Sequence, residues 1–487
     1  MSAGTSPPPL PRKPRNWLPA IVAMCVFAPL LVLLIVFISY RISNVSAVRR
    51  LEAEIKRKGE PLTLADLAAT YPPIPDEDNG AVPLVELWKK EDPEFWNAFL
   101  EGVRPLPARR EPRWDDALPL LGAEAKRISR TMVLQPTNLL AAEAFLEEHK
   151  EYSKNVRQAL RKPKFRFPVD FTDGFGTLLP HLAQIKREAQ SFHIEALLAS
   201  EGKDVEGAIA AVENISRTGS AVAAEPMLIS QLVRIACYNM ALEASERLLS
   251  RHVLSNAQLD KLNATVDELA MPGALRLSFV SERAMFLSVF LLSPSAAAQL
   301  GSPSGDEAEE MSESTYQAGT GFLGFLGLND ADRRLMLETM EKAIWLSDRD
   351  DAKALKDCEA LFVEAASTAK RLPPKIFCAI LMPAEEKAAI RFARLEARRR
   401  AAMVAIAVER YRLANGGSTP EDLDELIPQF LRSIPSDPFD GQPLRYKELP
   451  TGFVVYSIGP DRTDDGGIEP RQKGGQKNFD VTFVVER

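Results

Sequence analysis

The chain has 487 residues, enough for two or three domains at about 150 residues each once any membrane segment is set aside. Its formal charge of −7 and 46% hydrophobic content exclude wholesale disorder and argue against a nucleic-acid binder held by basic charge. Four cysteines and four histidines are too few for a disulfide framework or a Cys-rich zinc module, and they leave little material for metal or acid–base chemistry.

Residues 1–15, with the run Ser6-Pro7-Pro8-Pro9-Leu10-Pro11, cannot pack a core and read as a disordered, polyproline-like tail. From Trp17 to Tyr40 no residue is charged. At ~1.5 Å per residue this segment makes ~36 Å of helix, enough to cross a ~30 Å hydrocarbon core. Trp17 and Tyr40 stand where interfacial aromatics belong, and Pro29 is expected to kink the span. The segment predicts a single transmembrane helix over 16–41. It is longer than the ~7–15-residue apolar stretch of a secretory signal, and Tyr40-Arg41-Ile42-Ser43 offers no small-residue cleavage site. Arg12, Lys13 and Arg15 precede the span, while Arg41, Arg49 and Arg50 follow it, nearly a tie for the positive-inside rule. The short, purely cationic tail tips the expectation towards a cytoplasmic-membrane protein whose large domain lies on the extracytoplasmic side. Residues 42–61 read as a stalk that continues the helix to Lys58 and is stopped by Gly59 and Pro61.

A mainly helical body is expected over 62–372. Leu178, Leu182, Ile185, Ala189, Phe192, Ala196 and Ala199 alternate in spacings of four and three, the seam of a packed helix. Gly202-Lys203-Asp204 predicts a turn into a second helix bearing Ala208, Val212 and Ile215. A third follows from Pro226 through Ile229, Leu232, Val233, Ala236 and Met240. Helical hairpins in a solenoid-like stack are the natural arrangement. The hairpin resembles one tetratricopeptide unit in its small residues but lacks the aromatic positions of that repeat. A flexible insertion is expected over 293–329, where Ser302-Pro303-Ser304-Gly305 gives way to glycines flanking Phe322, Leu323, Phe325 and Leu326.

A long helix is predicted from Pro383 to Leu413. It carries Arg391, Arg394, Arg398, Arg399 and Arg400, read as a solvated face or, more sharply, a contact for anionic lipid. Short strands follow at Leu444–Lys447, Phe453–Ser457 and Val481–Val485, so 383–487 reads as a small α+β domain with an antiparallel sheet. Its helix ends in Tyr411-Arg412-Leu413-Ala414-Asn415-Gly416. Ile434-Pro435-Ser436-Asp437-Pro438-Phe439-Asp440-Gly441-Gln442-Pro443-Leu444-Arg445-Tyr446 and then Ser457-Ile458-Gly459-Pro460-Asp461 come after it. This succession, over about 401–487, resembles the C-terminal domain of the major pseudopilin of type II secretion systems. The chain departs from that family in having its apolar segment more than three hundred residues upstream, with no prepilin-peptidase site before it. It is therefore expected not to polymerise as a pilus subunit. The overall layout also resembles single-span membrane proteins of planctomycete-type bacteria, a likeness of architecture that implies no activity.

Asp461, Thr463 and Asp465 place oxygen ligands at alternate positions, with Gly466 next and Glu469 in reach, a pattern suited to a hard cation such as calcium. An Asp/Gly turn capped by its own side chains is the bland alternative. The resemblance implies a calcium loop here and maps Asp461 and Asp480 onto acidic positions of the family, although the 471–477 segment is longer and more basic than the family's. Elsewhere little chemistry is offered. His181 and His193 do not share a helix face, Cys237 reads as a buried thiol, and Glu282-Arg283 reads as a surface pair sooner than a buried one. No metalloprotease, nucleophile-elbow or Walker motif occurs. The expected function is a membrane-anchored scaffold or interaction protein with protein partners. An accessory component of a type II secretion or pilus-like machine, and a hydrolase built from scattered carboxylates, are the alternatives.

Overall fold

The computed structural model describes residues 18–100, 130–131, 133–290, 328–349, 351–371, 375–468 and 480–487. The tail (1–15) and nearly all of the expected insertion (293–329) lie outside them. Fourteen α-helices and one three-stranded antiparallel sheet occur among the described residues, so the fold is mainly α, as expected.

Helix α1 runs unbroken from Leu18 to Lys58, with Pro29 inside it. It ends where Gly59 takes a left-handed φ of 72°, a conformation that costs glycine no Cβ clash. Its two halves differ. Leu30 to Val36 are more than half exposed, whereas Val48 and Ile55 are buried with Leu62, Phe279, Phe286 and Met340. The lower half is also stitched electrostatically. Glu60, just past the helix, and Glu341 both pair with the fully buried Arg283, and Lys58 reaches Glu341 at 2.7 Å.

The body follows as α2 (Leu64–Ala69), α3 (Ala81–Glu91), α4 (Pro93–Leu100), α5 (Pro136–Glu148) and α6 (Lys150–Leu160). A hairpin of α7 (Pro180–Glu201) and α8 (Val205–Ser220) comes next, turned at Gly202–Asp204, where Asp204 caps α8 by accepting from Gly207 N–H. The expected α7 seam is buried from Leu182 to Ala196, but Leu178 precedes the helix and is exposed. Helix α9 (Leu228–Arg251) corrects the predicted stripe: Ile229 is exposed, and Ile235, Tyr238, Leu242 and Leu249 lie inside. This helix packs against α7 and α8 on one side and against the C-terminal helix and sheet on the other, so no single apolar stripe marks its buried surface. Helices α10 (Asn256–Asp267), α11 (Ala274–Val289), α12 (Leu328–Ser347) and α13 (Ala352–Ala369) complete the body.

Helix α14 spans Ile376–Ala414 and begins seven residues before the expected Pro383, which it takes within its run. Strands β1 (Arg445–Leu449), β2 (Gly452–Ser457) and β3 (Val481–Glu486) form an antiparallel meander in that order, with Tyr446 opposite Val455 and Val455 opposite Phe483. Phe453, Val455, Phe483 and Val485 share one core with Ala401, Val404, Ala405 and Val408 of α14. That core continues through α9 and α7 to Leu67, so the C-terminal unit and the helical body are joined by a continuous apolar interior.

Of the arginine run of α14, Arg391 is exposed, whereas Arg398, Arg399 and Arg400 are partly buried and paired within the fold, which corrects the expected solvated face there. Arg398 reaches Glu246 of α9 at 3.1 Å, Arg399 reaches Glu396 and Asp267, and Arg400 bonds Glu396 and the carbonyl of Ser436. These charges face neighbouring elements because α14 is enclosed by α9, α10, α13 and the sheet.

Candidate functional site

The loops at the end of the sheet converge on Asp437, which is fully buried. Its Oδ1 accepts from Phe439 N–H at 2.9 Å and from Ser457 Oγ at 2.8 Å, and its Oδ2 accepts from Ile458 N–H at 2.9 Å. One carboxylate thereby ties the Ser436–Gly441 turn to the Ser457–Gly459 turn. Two motifs that stand apart in sequence are halves of one hydrogen-bonded joint.

Arg445, at the start of β1, extends the joint outward. Its guanidinium meets Asp437 at 3.2 Å, Asp440 at 2.6 Å and Asp464 at 3.1 Å. Neither role was read from sequence, although Asp437 and Arg445 both lie within the quoted motif. The signal available was an arginine eight residues after a motif aspartate, with two further aspartates nearby.

The described members of the expected calcium set, Asp461, Thr463, Asp465 and Asp480, lie in the loop beyond this clasp and immediately before the last strand. Asp461 is exposed, and its Oδ1 accepts from Thr463 N–H, an Asx-type turn. Thr463 is exposed and Asp465 half-buried. Asp480 is buried, and both of its oxygens are occupied: Oδ1 takes Asp465 N–H at 3.3 Å and Oδ2 takes Gly467 N–H at 2.7 Å. Burial, together with the nearby charges of Asp464 and Asp465, holds the Asp480 carboxyl above its ordinary range against the pull of those N–H groups. Glu469 lies outside the described residues. Among the described residues no three His, Cys, Asp or Glu side chains cluster as a metal would need. Asp480 instead directs its oxygens to the backbone N–H groups of Asp465 and Gly467, and Asp461 caps its own turn.

The Asp461 loop is instead fastened by protein groups. Gly467, at φ 75°, lies so close to Tyr456 and Val454 that an added Cβ would approach both to 3.0 Å, so the loop covers the sheet's outer face. Arg462, at φ 57°, sends both terminal nitrogens to Glu359 of α13 at 2.9 Å. The loop thus binds sheet to body.

Several other displaced acidities belong to buried groups. Cys237 is a buried thiol as expected, and burial pushes it, like Cys358, up to about 12. The expected Glu282-Arg283 surface pair is corrected, because both residues are inside and point to different partners. Arg283 joins Glu60 and Glu341, while Glu282 is pushed up to about 7 by burial. Glu385 of α14 is raised further by burial and by the charge of Glu282. Glu188 accepts from Trp88 Nε1 at 3.1 Å and from Tyr152 O–H at 2.5 Å, and burial likewise pushes it up to about 7.

Among the cavities that border the described body, two are partly enclosed. One of about 750 Å³ lies between α13, α14 and the Pro435–Pro438 turn, lined by Leu355, Cys358, Phe392, Glu396 and Met403. Another of about 480 Å³ lies beside the stalk, lined by Glu52, Lys56, Leu64, Phe175, Leu287 and Arg333. Neither is lined by Glu188, Glu282 or Glu385, so the carboxyls with the most displaced acidities do not open onto either cavity as hydrolytic groups would. No family model, curated protein or solved structure matches this chain.

Proposed function

We propose that the chain is a single-pass, membrane-anchored scaffold or interaction protein that carries a pseudopilin-like helix-and-sheet unit as a fixed part of its body. The observation that carries this reading is the divided character of α1. Its first half presents apolar side chains from Met24 to Ile38 to the surroundings, and its second half is built into the core through Val48 and Ile55. Apolar exposure on that length of helix is costly in water and favourable in hydrocarbon. The attachment of the second half supports an anchor over a removable leader. The long helix laid on an antiparallel meander, with Asp437 joining the two quoted motifs, supports the pseudopilin likeness as one of fold. Burial of that unit against α9 and α13 supports a static role and not polymerisation.

Alkaline carbonate extraction of membranes, followed by N-terminal sequencing of the retained chain, tests the reading. Retention of a chain that still contains residues 18–40 is expected. A soluble chain, or one beginning after Tyr40, overturns it. Protease accessibility from each side then tests the proposed extracytoplasmic placement of the body, which rests on the cationic tail.

A further inference from the structure

The end of the body nearest the apolar half of α1 is fixed by a ladder of contacts. Arg334 of α12 donates to Asn44 Oδ1 at 3.4 Å, and Glu341, two turns further along α12, takes Lys58 at 2.7 Å. Helix α12 therefore runs beside α1 in the same direction, with its first turn closest to Tyr40. Helix α14 starts at that same end, because Asp332 accepts from Phe377 N–H at 2.9 Å and from Cys378 N–H at 3.1 Å. Helix α11 arrives from the opposite direction. Arg276 meets Asp348, Arg283 meets Glu341, and Phe290 then packs edge-on against Phe377, with ring centres 5.1 Å apart.

At ~1.5 Å per residue, Asn44 stands only ~6 Å beyond Tyr40. A bilayer's polar layer is roughly 5–7 Å thick on each side, the difference between its full and hydrocarbon thickness. With α1 in a membrane, the starts of α12 and α14 therefore lie among the lipid headgroups. The chemistry of this end suits that place. Ile376 and Ile380, one turn apart on the same side of α14, are 50% and 53% exposed, and Ile42 of α1 is 63% exposed. Lys370 and Arg371 are exposed, and Lys375 is half-buried at the turn into α14. A basic cluster beside exposed isoleucines runs counter to a chain whose overall charge is −7.

We infer that this end of the body is a second membrane contact. Ile42, Ile376 and Ile380 enter the boundary between headgroups and acyl chains, and Lys370, Arg371 and Lys375 engage anionic headgroups. The inference rests on the reading of α1 as an anchor, which places this surface against the bilayer.

The test uses the full chain in lipid nanodiscs with Cys25→Ser, leaving the three buried thiols in place, and one nitrobenzoxadiazole label per sample. The label is carried by Ile35→Cys in the span, by Ile380→Cys, or by Ser418→Cys beyond the far end of α14. Spin-labelled lipid is expected to quench the probes at positions 35 and 380 and to leave the probe at 418 bright. Adding phosphatidylglycerol to phosphatidylcholine deepens the quenching at 380, and the triple variant Lys370→Gln/Arg371→Gln/Lys375→Gln abolishes that gain. Quenching at 35 with none at 380 overturns the second contact and leaves the anchor standing. Quenching at neither position overturns the anchor reading itself. Equal quenching at 380 in neutral and anionic discs removes the three basic residues from the contact. Shielding of the 380 probe that grows with protein concentration in lipid-free detergent assigns the surface to a second copy instead.

Discussion

Asp437 and Arg445 show how much of the C-terminal loop system hangs on two side chains. Arg445 donates to three carboxylates at once, one of them fully buried, and a planar guanidinium can meet all three where an ammonium cannot. Arg445→Gln leaves Asp437 with a charge and one fewer donor, so a loss of roughly 2 kcal/mol is expected. The check is the melting temperature of the full chain in detergent, in which Arg445→Lys should recover only part of the loss. Millimolar calcium is expected to leave the wild-type melting temperature unchanged, and a rise of several degrees would show that a cation enters the loop after all. Glu188 sets a second expectation, this time with pH. The fold holds its proton up to about 7, whereas the ordinary carboxyl value is 4.5. Between those values the folded chain binds more protons than the unfolded one, so this group's contribution to stability falls as pH rises through the window and is level above it. Glu188→Gln can still accept from Trp88 and Tyr152. It should melt higher than wild type at pH 8, by on the order of 2 kcal/mol, and show a shallower pH slope between 4.5 and 7.

Helix α9 does the work of a fourth strand at the sheet's edge. Glu246 Oε1 accepts from Val484 N–H at 2.6 Å, and Ser250 Oγ accepts from Glu486 N–H at 3.2 Å. Side chains of a helix thereby close the outer edge of β3, which would otherwise invite another strand. Glu246→Leu strips the buried Val484 N–H of its acceptor and Arg398 of an ion partner. A loss of about 3 kcal/mol is expected, with faster aggregation on mild heating followed by light scattering. Elements set by local signals were legible in the sequence: the end of α1 at Gly59, the Gly202 turn and the three strands all needed only near neighbours. The inner face of α9 and the arginine run of α14 were not. What Arg398 touches is decided by a segment 152 residues away, and the inner face of α9 is shared between near helices and the distant C-terminal unit. The Asp461 loop was misleading for a related reason. Its oxygen spacing is regular, but Asp461 and Asp480 accept from backbone N–H groups of the loop, which spacing does not reveal.

A chain read as a body plus an appended domain has, in the fold, one interior from Leu67 to Val485. Removing residues 445–487 therefore takes away strands that cover α14 and uncovers the polar face of α9 as well. The truncated chain is expected to lose the cooperative melting of its helices and not merely a separable unit, which circular dichroism of full and truncated chains in the same detergent would compare. Two transitions in the full chain, the lower one absent after truncation, would instead mark an independent domain. The proposed likeness to a pseudopilin C-terminal domain rests on motifs that are short and contiguous. The way that unit is merged into the body was not legible, because it depends on pairings such as Arg462 with Glu359 and Arg487 with Glu409.

Because α1 passes from Leu18 to Lys58 without a break, it acts as a keyed shaft and not as a leash. For the proposed anchor, azimuth is inherited: whichever side of the body looks outward is set by how the apolar half of α1 is turned. One residue inserted between Tyr40 and Asn44 would swing everything beyond it by about 100° and lift it by about 1.5 Å.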